Sequence, residues 1–336
     1  MRSSILLLLV LLVAGSSPAA ERAPPRLIII QPGYPGSTQD ARAFIATLSE
    51  YLESKTGLKG LTGEYHNEAK PGLRAIKEDR PAFGMVSLGF YLEHRKALGL
   101  VARLQARPKD RVVLIARGGD IKDLAALKGE AVAGGPLHEK AFLERIAFAG
   151  KADVASWDAQ PTLQASRALR DLAQGKKYRA VVLTGRDFAV LGELYSGKTL
   201  EKVAESDYYP PALVVAFTGA GSAKAAGKDD PGKKAGPEKE ENGAREEKKK
   251  SEGAGREAKS TGKETERASG GVGAEPEPGG PLSPEELEKV LGALSGLPDD
   301  PQGREILEVM GAEAFEDLPK GWLEEMEGRF DAREKK

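Results

Sequence analysis

Ala82-Phe83-Gly84-Met85-Val86-Ser87-Leu88-Gly89-Phe90-Tyr91 is the stretch on which the reading of this chain turns. Ala82–Val86 is a short, almost wholly apolar run and reads as a strand. Leu88, Tyr91 and Arg95 then follow at helical spacing. Working outward, the same alternation recurs. Leu27–Ile30 reads as a buried strand and Pro32-Gly33-Tyr34-Pro35-Gly36 as a loop. Ser37 or Thr38 can cap a helix running to Lys55, with Ala41, Phe44, Ile45, Leu48, Tyr51 and Leu52 on one face and Gly57 at its end. Further strands are expected at Gly60–Tyr65, Val101–Gln105, Val112–Ala116, Ala131–Ala133, Val154–Trp157, Tyr178–Leu183 and Leu213–Phe217. Leu124–Lys128, His138–Phe148, Pro161–Ala173 and Asp187–Leu194 read as helices, Pro161 standing in a first turn. Strands alternating with helices predict an α/β architecture.

The two ends and the middle read differently. Arg2 followed by the apolar run Ile5–Val13 and the small residues Ser17-Pro18-Ala19 has the form of a cleavable export signal, residues 1–19. That run is too short to span a bilayer, which takes about 20 residues. A periplasmic or secreted protein is expected. Residues 220–280 contain 13 Lys/Arg and 13 Asp/Glu among Gly, Ala, Ser and Pro, and almost nothing apolar. Such a segment cannot bury enough surface to offset its ordering entropy, so a disordered charged linker is expected there. Leu282-Ser283-Pro284-Glu285-Glu286 is a strong helix start. Gly296 closes that helix, Pro301 opens one ending at Gly311, and a last helix is expected over Lys320–Phe330. Their apolar faces need the preceding α/β body, so the linker interrupts a domain.

Composition removes several classes of function. The 336 residues carry a formal net charge of -1 and no cysteine. No global basic field points to nucleic acid, and thiolate metal sites, disulfides and cysteine nucleophiles are impossible. The three histidines have no metal-ligand spacing, and neither a G-x-S-x-G elbow nor H-E-x-x-H occurs. No enzyme, cofactor or metal is expected.

The order of the words from Phe83 to Leu127 resembles the phosphonate-binding (PhnD-like) branch of the type 2 periplasmic binding proteins. The resemblance rests on Gly84–Tyr91, Gly99-Leu100, Val112–Arg117 and Asp123–Gly129, and on the closing words Leu282–Glu286, Asp300–Gly303 and Ile306-Leu307. It implies two α/β lobes joined by two crossover strands, with C-terminal helices, over residues 20–219 and 281–330. Lobe one would hold about 26–117, 205–218 and 281–330, and lobe two about 118–204. Ligand would sit between them and draw them closed. Where the family usually carries an Asp, this chain reads Pro81–Gly84 and Lys177–Ala180. Where the second lobe usually offers hydroxyls, it reads Ala133-Gly134-Gly135-Pro136-Leu137-His138.

On that fold the ligand groups come from loops after strands and from helix starts. The candidates are Tyr34, Ser37 and Thr38 after the first strand; Ser87, Gly89 and Tyr91 after the third; Gly134, Gly135 and His138 at the second-lobe helix; and Thr184 after a later strand. Arg186, Tyr208 and Tyr209 stand nearby in the same scheme. Each has a plainer role open to it: Ser37 and Thr38 as caps, the glycines as a turn, Tyr91 as packing, Arg186 as solvated surface. The resemblance implies a monomer that captures a small polar or anionic solute, of the phosphate/phosphonate class, for an ABC permease. The alternative is a degenerate binding domain serving as a periplasmic sensor or scaffold.

Overall fold

The computed structural model describes residues 23–34, 36–195, 200–218 and 282–334. The expected export signal and the expected charged linker lie outside the described residues. Strands are numbered along the chain. One sheet holds β1 (Arg26–Ile30), β2 (Thr62–His66), β3 (Phe83–Val86), β4 (Leu100–Arg107), β10 (Leu213–Phe217) and β11 (Ala314–Asp317), in the order β11-β4-β10-β3-β1-β2. The other holds β5 (Val112–Arg117), β6 (Ala131–Gly134), β7 (Asp158–Pro161), β8 (Ala180–Thr184) and β9 (Leu200–Glu205), in the order β7-β6-β8-β5-β9. The chain crosses between sheets twice, from β4 to β5 and from β9 back to β10. This is the expected α/β, two-lobed architecture.

The helices are α1 (Arg42–Thr56), α2 (Ala69–Asp79), α3 (Leu88–Leu98), α4 (Lys140–Phe142), α5 (Ala165–Ala173), α6 (Gly185–Tyr195), α7 (Pro284–Ser295), α8 (Pro301–Met310) and α9 (Trp322–Glu334). Strand alternation assigns them to layers. Leu27 and Ile29 of β1 join the core that α1, α7 and α8 cover, while Ile28 and Ile30 face the other way. In β5, Val113 and Ile115 pack with Ala168, Leu169 and Leu172 of α5. Val112 and Leu114 join Ile28, Ile30 and Val86 in one apolar cluster shared by both lobes. Each large side chain buried there contributes about 1.5–3 kcal/mol.

Local chemistry sets the helix ends. Ser283 and Glu286 form a reciprocal capping box at α7 with Pro284 at its first position. Gly57 and Gly311 close α1 and α8 in left-handed conformations. The start of α1 differs from expectation: Ala41 stands at its N-cap without a side-chain bond, and Ser37 instead pairs with Asp40 in the preceding turn.

Other expectations are corrected. β5 pairs with β8 and β9, so Val112–Arg117 belongs to lobe two and the crossover falls at residues 108–111. His138–Phe148 is no single α-helix: a 3-10 turn over Gly135–Glu139 leads into α4 and then a π-turn over Leu143–Ala147. Val154–Ser156 is a 3-10 turn, and Pro161 ends β7 instead of opening α5.

The last helix serves both lobes. On α9, Met326 and Phe330 are buried in the shared cluster. Arg95 of α3 reaches Asp331 at 2.8 Å and Glu327 at 3.5 Å, and the Arg145 guanidinium of lobe two lies 4.6 Å from the Phe330 ring centre. α9 therefore straps α3 to the π-turn.

Candidate functional site

The space between the lobes is floored by the crossovers. Asp110 and Tyr209 exchange backbone hydrogen bonds, each 2.8 Å. Tyr209 stacks edge-on against Phe142 of lobe two, ring centres 4.9 Å apart. The β1–α1 loop brings Tyr34 to the same place, and Thr184 arrives at the end of β8, its hydroxyl accepting the Asp187 N–H at 3.0 Å.

Two glycines let the lobes meet. A Cβ on Gly33, φ +82°, would overlap the carbonyl oxygen of Gly135, and a Cβ on Gly135 would lie 2.6 Å from the Gly33 oxygen. Gly134, φ +149°, has its own reason: a side chain there would run into the Val182 carbonyl of β8. The pair thus buys close backbone approach.

Glu139 fills the centre. The Ser87 hydroxyl donates to its carboxylate, and the Phe90 N–H reaches it as well. The Phe90 N–H also donates to Ser87 Oγ at 3.1 Å, which makes Ser87 the N-cap of α3. A Cβ on Gly89 would lie 2.7 Å from a Glu139 oxygen, so only glycine leaves the carboxylate room. A lobe-two acid therefore sits on the N-terminal turn of a lobe-one helix, where the dipole favours negative charge. Burial nevertheless lifts its pKa to about 7, with the Glu93 carboxylate adding to the rise and the two hydrogen bonds opposing it. Among the described residues no Lys, Arg or His forms an ion pair with it.

The cavity bounded by Tyr34, Ser87, Glu139, Phe142, Thr184 and Tyr209 measures about 20 Å³, room for about one water. Outside Tyr34 lie two open hollows of about 390 and 300 Å³ that share Gln31, Tyr34, Thr184, Arg186 and Met310. Arg186 crosses this mouth and donates to the Gly311 carbonyl at the end of α8. The hydroxyls of Tyr34 and Tyr209 have no hydrogen-bond partner among the described residues. Burial and the carboxylates of Asp110 and Glu139 push the Tyr34 hydroxyl far up; burial, Tyr34 and the same two acids do so at Tyr209.

Of the candidates read from sequence, Tyr34, Ser87, Gly89 and Thr184 line the cavity, and Gly134 and Gly135 stand at the seam. His138 is half-buried near Glu68 of lobe one, its pKa lowered by burial against the pull of that carboxylate. Ser37 binds Asp40, and Thr38 donates to the Tyr65 carbonyl at 2.7 Å; both shape the loop outside the cavity. Tyr91 points to α9 and donates to Glu327 at 2.7 Å. Glu139 directly follows His138 but carries no signal in the sequence, because the Ser87 hydroxyl and the α3 N-terminus that it meets belong to the other lobe.

No family profile matches the chain, and no curated protein matches it. Solved structures do. A Xanthomonas citri protein bound to ATP superposes with a TM-score of 0.59 at 11% identity, over 93% of this chain and 98% of that one. The fold is that of a two-lobed periplasmic binding protein. A binding-protein component of an ABC phosphonate transporter from Pseudomonas aeruginosa gives a TM-score of 0.54 at 11% identity, over 93% of this chain and 89% of that one. A PhnD protein of Prochlorococcus marinus in complex with methylphosphonate gives 0.54 at 10% identity, over 93% and 98%. The two-lobed α/β architecture implied by the resemblance is thus found in the structure. No helix among the described residues is long and apolar enough to cross a membrane.

Proposed function

We propose that this chain is an extracytoplasmic solute-binding protein that closes two lobes on a small polar solute and presents the closed form to an ABC permease. It carries out no chemical step and works as a monomer in the periplasm. The observation that supports this most is the inter-lobe cavity itself. It lies on the two crossovers and is lined by residues of both lobes, Tyr34 and Tyr209 among them. Hinge motion at residues 108–111 and 206–212 would open it. Of the polar and anionic solutes expected from sequence, the polar class is the better supported, because Glu139 would repel an oxyanion placed beside it.

A degenerate domain used as a sensor or scaffold is the second reading. Contacts across the seam favour it: Gly33 against Gly135, Ser87 to Glu139, and Arg186 to Gly311. Solution scattering with a thermal-shift series separates the two. A solute at 100 times its dissociation constant should add about 2.7 kcal/mol of stability and compact the particle. A particle that stays closed and answers no solute would leave the scaffold reading.

A further inference from the structure

We propose that the cleft takes a small cationic solute, an amine or quaternary ammonium compound, with Glu139 as its counter-charge and Tyr34, Tyr209 and Phe142 as its aromatic walls. The inference rests on the solute-binding reading and names the class of solute. Its first ground is charge. Asp110, Glu139 and Asp187 all act on Tyr34, and Arg186 alone opposes them. On Tyr209 only the acids Asp110 and Glu139 act, together with Tyr34. Of the cations nearby, Arg186 donates to the Gly311 carbonyl and Arg111 lies 3.3 Å from Glu205 and over the Tyr208 ring, while Lys109 is exposed at the outer hollow and lines no part of the closed cavity. An enclosed carboxylate with donors but no counter-ion is costly, and a ligand that supplies the missing charge recovers that cost.

The second ground is the wall. Two tyrosines and a phenylalanine line the same cavity as the carboxylate, and aromatic faces attract desolvated cations. The free Tyr34 and Tyr209 hydroxyl oxygens can accept from an ammonium N–H. The closed cavity of about 20 Å³ admits no such solute, so binding requires the lobes to part and close again.

Glu139 is held near pKa 7 without ligand, so a cation binds its ionised form and displaces one proton. The groups facing it are Ser87, the Phe90 N–H and Glu93 from α3, Tyr34 from the first loop, and Tyr209 and Asp110 from the crossovers. Glu93 raises the same pKa and so moves the midpoint of the dependence upward, while Asp110 is itself shifted up by burial.

The test is calorimetry and thermal shift on the full-length chain with three probe classes: ethanolamine, putrescine and choline; phosphate, methylphosphonate and acetate; xylitol and glucose. The expected result is binding in the first class alone, with affinity rising about tenfold per pH unit below 7 and levelling above it. Glu139→Gln should lose at least tenfold in affinity while melting as cooperatively as the parent; if Gln does not fold, Glu139→Asp, which keeps the charge, should still bind the first class with a pH-dependent affinity, and pH-independent binding by it would overturn the role of the carboxylate. Binding only of an oxyanion or a neutral polyol would overturn the cation inference and leave the solute-binding reading standing. Binding of none of the three classes would overturn both.

Discussion

Two charged side chains, Arg95 buried and Glu139 half-buried, flank α3 at its two ends, and the fold treats them oppositely. Arg95, 6% exposed, lies at the C-terminal end between Asp331 and Glu327 and also donates to the Leu92 carbonyl. Glu139, at the N-terminal end, has a hydroxyl and an amide for company and, among the described residues, no ion-pair partner. A charge that only holds helices together carries its counter-ion within the chain. A charge left without one is held ready for something that comes and goes.

The largest expected effect breaks the completed end. Arg95→Met should destabilise the chain by about 3 kcal/mol, since it removes the cation that Glu327 and Asp331 share and leaves them only Tyr91 and Lys96 beside an apolar seam. The lower end of the range applies because Glu327 and Asp331 are 30% and 31% exposed. Urea unfolding at pH 7 measures it; a loss under 1 kcal/mol would mean that α9 is not a strap.

The incomplete end should show itself through pH. The folded pKa of Glu139, about 7, exceeds the ordinary 4.5, so the folded chain holds a proton that the unfolded chain has released between those values. Its contribution is therefore full below pH 4.5 and lost as pH rises through 7, about 3 kcal/mol in all. His94 and His138, both lowered by burial, act the other way, losing stability as pH falls below 6.5. The difference between the parent and Glu139→Gln isolates the acid. It should shift steadily in favour of Gln from pH 5 to pH 8, and a flat difference would show that Glu139 is solvated.

How much of this contrast could be read in the sequence follows from where each signal resides. Elements bounded by local chemistry were legible: Ser283-Pro284 opens α7, Gly57 closes α1, and the apolar runs of β1, β3, β5, β8 and β10 lie inside their sheets. The strands not expected from sequence are edge strands: β7 (Asp-Ala-Gln-Pro), β9 (Leu-Glu-Lys-Val-Ala-Glu) and β11 (Ala-Phe-Glu-Asp) each border a sheet on one side only, so little apolar signal marks them, whereas the edge strand β2 was expected. The passage from 3-10 to π geometry over residues 135–147 is a tertiary choice that periodicity does not encode. The site was half legible for the same reason. Tyr34, Ser87, Gly89 and Thr184 follow strands and could be placed by that rule. Glu139 gains its meaning only when α3 of the other lobe arrives beside it.

The seam itself offers a smaller, separate perturbation. Gly33→Ala would place a Cβ against the Gly135 carbonyl at a positive φ. A strained residue costs about 1–3 kcal/mol, and here the strain is relieved if the lobes part. Scattering should show an expanded particle and weaker solute binding, with secondary structure unchanged. An unexpanded particle that still binds would mean that the loop moves instead of the lobes.

The smallest effect decides whether Tyr91 belongs to the site or to the strap. Its hydroxyl donates to Glu327 at 2.7 Å and it lines no part of the cavity. Tyr91→Phe removes one hydrogen bond to a carboxylate that keeps Arg95 beside it, so about 1 kcal/mol should be lost. The ligand-induced shift should be unchanged, because the ring still packs in the shared cluster. Reduced solute affinity at intact stability would place Tyr91 with Glu139 after all, and would join the two ends of α3 that the contrast separates.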